Sequence, residues 1–94
     1  MWNAVLLSKF AMRLKILMYL NGEDNTQLAE VLGCNASRVS LLRCCGTRPT
    51  NTEIVKLSEH YSITEDFLSG GGSFVLISED NMGNQNLIFR EVLS

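Results

Sequence analysis

A chain of 94 residues holds one small domain with a modest core, and its 46% apolar content and single proline favour a folded unit over a disordered one. Its three cysteines form neither an even disulfide set nor the paired CxxC spacing of a zinc site, so a reduced, cytoplasmic chain with no metal or cofactor is expected. The formal net charge of −2 excludes a uniformly basic surface, so any face that meets phosphate has to be local.

From Ser8 to Leu20, "SKFAMRLKILMYL" carries Phe10, Leu14, Leu17 and Met18 at helical spacing, with Ser8 as the N-cap and Asn21-Gly22 as the stop. Ile16, Tyr19 and Leu20 make this helix apolar on more than one side, which reads as a thick core stripe or a partner surface. Lys9, Arg13 and Lys15 lie inside the apolar run, a layout that fits neither a membrane span nor a signal peptide. A second helix is predicted over Asn25 to Leu32, capped by Asp24 or Asn25, with Leu28, Ala29 and Leu32 inward. Gly33 breaks it. Asn35 caps a third helix over Ala36 to Cys45, with Val39 and Leu42 inward, Gly46 as its end and "TRPT" as the turn out.

The fourth helix is expected from Asn51 or Thr52 to Tyr61, with Ile54, Val55, Leu57 and Ser58 on or near its inner face. Thr64 caps a last short helix carrying Phe67 and Leu68. "SGGG", Ser69 to Gly72, has a linker's composition. Beyond it, "SFVLIS" and "NLIFREVL" are β-rich runs separated by the turn formers "EDNMGNQ", and they read as a hairpin. A lone hairpin is marginal in water, so it has to pack on the helices or pair with another chain. The expected fold is mainly α, a five-helix bundle followed by a short C-terminal β-hairpin or strand pair. Residues 1–69 form the head, and 70–94 form a glycine linker with a β-rich tail.

The second helix, the Gly33 turn and the third helix have the layout of a helix-turn-helix, in which a short helix braces a second one that enters the DNA major groove. With Val39 and Leu42 inward, Ser37, Ser40, Leu41 and Cys44 share the opposite face, and Arg38 and Arg43 flank it. Serines can read base edges, Leu41 can meet a thymine methyl, and the arginines suit phosphate or guanine. Asn25 and Gln27 stand at the start of the second helix, whose N-terminus favours an anion. Charge is divided in the same sense. Through Arg48 the basic residues Lys9, Arg13, Lys15, Arg38, Arg43 and Arg48 outnumber Glu23, Asp24 and Glu30, whereas acidic residues dominate from Pro49 onward.

Rival readings find less support. No nucleophile–base pair, supported carboxylate pair or phosphate loop is visible, and His60 stands alone, so the chain does not read as an enzyme. Cys34, Cys44, Cys45 and His60 lack metal-ligand spacing, and Cys44 and Cys45, adjacent on a helix, point about 100° apart. Arg43 beside Cys44 leaves a thiol switch open.

The run "LAEVLGCNASRVS" resembles the helix-turn-helix of the lambda-repressor-like (Cro/CI, Xre-type) proteins, "SLLRCCGTRP" resembles the exit from their recognition helix, and "IVKLSEHYSITEDFLSGG" resembles their closing helices. The similarity is nearest to the N-terminal domain of phage CI-type repressors and covers about Arg13 to Gly70. It implies a phage-type repressor that binds operator DNA as a homodimer. DNA-facing residues on this reading are Asn25, Gln27, Asn35, Ala36, Ser37, Arg38, Ser40, Leu41, Arg43 and Arg48. The family's base-reading positions fall here on Ala36, Ser37 and Leu41, which are short or apolar, so readout leans on DNA shape. CI-type repressors usually dimerise through a separate C-terminal domain. Here the tail has to serve, through Phe74, Val75, Leu76, Ile77, Leu87, Ile88, Phe89 and Val92. The alternative is a protein-binding module, antirepressor or antitoxin-like, that grips another regulatory protein with the same fold.

Overall fold

Asn3, not Ser8, opens the first helix. The structure, a computed structural model, describes residues 2–44, 47–81 and 84–92, the last of these and 75–81 as backbone. Asn3 is extended, and its side-chain oxygen accepts from the Leu6 amide at 2.9 Å, so α1 spans Ala4–Leu20. Ser8 sits exposed within it. The helix buries Phe10, Ala11, Leu14, Leu17 and Met18, and Trp2 closes over Phe10 edge-to-face at 5.8 Å between ring centroids.

Each of the next helices starts on a short polar side chain that satisfies an otherwise unpaired amide. Asp24 caps α2 (Asn25–Leu32) in a reciprocal capping box with Gln27, and Gly33, left-handed at φ 72°, ends it. Asn35 caps α3 (Ala36–Arg43), which stops at Cys44. The predicted end at Cys45 and Gly46 lies outside the described residues. Thr50 caps α4 (Asn51–Tyr61) in a second capping box with Glu53. Thr64 caps α5 (Glu65–Leu68), whose Phe67 and Leu68 are buried.

The described residues are mainly helical. Leu28, Leu32, Val39, Leu42, Ile54, Leu57, Ile63, Phe67 and Leu68 join the apolar face of α1 in one core. Val55, expected near the inner face of α4, is 39% exposed, because Ile54 and Leu57 already take the buried positions of this helix, which packs on α2 and α5. After the helices, β1 (Ser73–Asn81) and β2 (Asn84–Val92) pair antiparallel with Ser73 opposite Val92 and Ile77 opposite Ile88. Phe74 is half-buried, edge-to-face with Phe67 at 5.7 Å. The side chains of Val75, Leu76, Ile77, Leu87, Ile88, Phe89 and Val92 lie outside the described residues.

The glycine run behaves as a packed junction. The Arg13 guanidinium donates to the carbonyls of Phe67 (2.6 Å), Gly71 (2.6 Å) and Gly72 (3.1 Å), and it lies over the Phe67 ring at 4.2 Å. Gly70 has φ 101°, and a Cβ placed there would meet Leu6 Cδ2 at 2.5 Å. Leu6 would have to turn aside, and the positive φ disfavours a side chain whatever the space, so Gly70→Ala is expected to cost about 1–3 kcal/mol in a urea titration. An unchanged midpoint would mean that this junction is loose.

Candidate functional site

The α2–turn–α3 unit brings most of the expected residues together. Val39 and Leu42 are fully buried, and this fixes the rotation of α3 about its axis. Its opposite face therefore carries Ser37, Ser40, Leu41 and Cys44, all exposed, with Leu41 at 49%. Ala36 is half-buried at the start of the helix. This face holds two hydroxyls, one aliphatic side chain and one thiol, and α3 contains no acidic residue. It can therefore donate, accept and make apolar contact without repelling an anion.

Local chemistry occupies several of the other residues. Asn35 spends its side-chain oxygen on the Arg38 amide at 2.9 Å. Gln27 is exposed, but its carboxamide oxygen accepts from the Asp24 amide at 2.9 Å, which leaves the NH2 end to reach outward. Asn25 accepts from Arg43 Nη1 at 2.6 Å, so these two flanking residues tie the start of α2 to the end of α3. Arg43 Nε is buried with no hydrogen-bond partner.

Arg38 differs most from its expected place. Instead of flanking the outer face it turns toward α4, where Nε and Nη2 meet the two Glu53 carboxylate oxygens at 2.9 and 2.6 Å. Nη2 also donates to the Arg48 carbonyl at 3.3 Å. Its charge is answered inside the chain, because Glu53 stands at the first turn of α4 with both oxygens aimed back at α3. The hydrogen bond from Arg38, aided by the Thr50 amide, holds the Glu53 carboxyl below the usual glutamate range. The same bond raises Arg38 above the usual arginine range.

The sign of the resulting pH dependence is set by that depressed carboxyl. Its stabilisation is complete above the ordinary glutamate range and fades as pH falls through the lower folded value. Glu53→Gln is expected to cost about 1–3 kcal/mol at neutral pH and to flatten the acid limb of stability against pH. An acid limb as steep as that of the parent chain would assign the dependence to other carboxylates.

Arg48 is exposed beside a cleft of about 520 Å³ lined by Trp2, Arg38, Thr47, Pro49, Thr50 and Asn51, next to the amino end of α4. Across the head, Glu23 joins the α1–α2 turn to α4. It accepts from the Tyr61 hydroxyl at 2.6 Å and lies 2.5 Å from His60 Nε2. Burial, then Glu23, pushes the Tyr61 hydroxyl far above its ordinary range, so it remains a donor. Cys34 is half-buried beside the core, and burial raises its thiol. Cys44 is a free, exposed thiol on the outer face of α3.

Among the described residues no three His, Cys, Asp or Glu side chains gather to hold a metal ion, and no helix is long and apolar enough to cross a membrane. Sequence reasoning missed Arg13, Glu23 and Glu53. Of these only Glu53 left a signal, the T-x-x-E capping pattern of "TNTE". Comparison with protein-family models, curated proteins and solved structures finds no match to this chain.

Proposed function

We propose that this chain is a sequence-preferring duplex-DNA-binding regulator of the lambda-repressor-like, phage-repressor kind, reading the major groove with the outer face of α3 as a homodimer. One observation carries the reading. A short helix braces a second across a left-handed glycine, and the second presents an exposed, acid-free row of Ser37, Ser40, Leu41 and Cys44. Such a face suits hydroxyl contacts to base edges and an apolar contact to a thymine methyl. Arg48, exposed beside the α3–α4 turn, suits a phosphate contact. Arg38 acts as a brace between α3 and α4. With Arg13 buried and Arg38 paired, few cations remain for the backbone, so the salt dependence should be shallow.

Selection from a random duplex pool, followed by titration of the enriched sequence, tests the reading. Arg48→Ala is expected to weaken binding to every duplex alike and to reduce the salt slope by about 0.9. Ser37→Ala and Leu41→Ala should change which sequence is preferred. A pool that emerges unenriched, or variants that bind as the parent does, would sink the assignment. A host pull-down run in parallel separates this reading from the alternative of an antirepressor-like or antitoxin-like protein-binding module.

Dimerisation through the tail belongs to the same proposal. A two-stranded sheet has two edges to pair, and pairing between copies would set two reading heads at a fixed separation.

A further inference from the structure

We propose that the outer face of α1 is a docking surface for an acidic amphipathic helix of another protein. Val5, Met12 and Tyr19 are 63%, 48% and 78% exposed, and they account for three of the five large apolar side chains exposed among the described residues. They stand seven residues apart, so each falls within about 20° of the last on the helix surface. The row is about 21 Å long at 1.5 Å per residue, and half-buried Ile16 widens it. This is heptad spacing, the pattern a partner helix reads. The surface faces away from the core and shares no residue with the outer face of α3, so the inference stands whatever α3 reads.

Charge decides the occupant. Lys9 and Lys15 are exposed on the two sides of the row, and α1 contains no acidic residue. A second copy fits the shape and fails on charge. Two α1 helices crossing antiparallel about Met12 would set Val5 opposite Tyr19, but the same register gathers both Lys9 side chains on one flank and both Lys15 side chains on the other. Like charges held in this way repel, whereas glutamates or aspartates in those places would pair. The surface therefore fits a helix with apolar residues at heptad spacing and carboxylates beside them.

The test uses the full chain and a dye-labelled synthetic peptide three heptads long, with leucines on one stripe and glutamates flanking it, followed by fluorescence anisotropy. Binding is expected to weaken about tenfold or more in Met12→Glu and to decline with salt. A matching peptide with lysines in place of the glutamates should bind the parent chain poorly. It should bind the Lys9→Glu, Lys15→Glu double variant well, an exchange that loss of fold cannot mimic. Equal binding of both peptides to the parent chain, or binding of neither, would overturn the proposal. So would a fall in the light-scattering mass of the free protein on Met12→Glu, which would assign the face to a second copy.

Discussion

Arg13→Met is expected to cost the folded head about 2–4 kcal/mol, a large share of what a domain of this size has to lose. Methionine keeps the apolar stem against the core, so the loss isolates the guanidinium. Three carbonyls, of Phe67, Gly71 and Gly72, would lose this donor, and the Phe67 ring would lose the cation stacked on it at 4.2 Å. The first of these bonds is buried and the other two are partly buried, so water can replace only part of what is removed. Arg13→Lys should recover little. A single ammonium cannot span three carbonyls in one plane or lie flat on a ring. Urea denaturation of the three proteins measures this, and hydrogen exchange at the Gly70 to Phe74 amides should report earlier opening in both variants. A lysine variant as stable as the parent would reduce Arg13 to one charge among others.

The unequal legibility of this chain in its sequence has a physical cause. The starts of α2, α3 and α5 were readable because a short polar side chain at an N-cap acts within three residues, and Asp24, Asn35 and Thr64 follow that rule. The start of α1 was misplaced because Ser8 has the chemistry of a cap, while the residue that caps, Asn3, precedes the clear periodicity. The outer face of α3 was readable because burying Val39 and Leu42 fixes its rotation through the helical period alone. Partners were harder to foresee. Arg38 and Glu53 are fifteen residues apart, and Arg13 reaches a carbonyl fifty-four residues away. Such pairs exist only after the helices have docked, so composition counts as free charge what the fold has already used. The glycine run misled for the same reason, since three consecutive glycines signal freedom unless something elsewhere clasps them.

Ending the chain after Phe74 is expected to leave a folded helical monomer that binds its selected duplex about 10²–10⁴-fold more weakly than the full protein. The position of the cut follows from the clasp. A cut at Gly71 would remove the Gly72 carbonyl from Arg13 and the Phe74 ring from Phe67, and so would confuse loss of the tail with damage to the head. A cut after Phe74 spares both and removes most of β1 and all of β2. The segment removed carries Val75, Leu76, Ile77, Leu87, Ile88, Phe89 and Val92, too many apolar β formers for a strand pair left alone in water. If the tails of two copies pair edge to edge, both heads reach the duplex together, and the second engages at the high effective concentration that the first provides. Arg13 gains a second role in that arrangement, because a joint clasped to the head holds the spacing of the two recognition helices where a loose glycine linker would let it drift. Light scattering gives the mass and titration gives the affinity. A truncated protein that remains dimeric would place the interface on the head, and a monomer with undiminished affinity would remove the second head from the reading altogether.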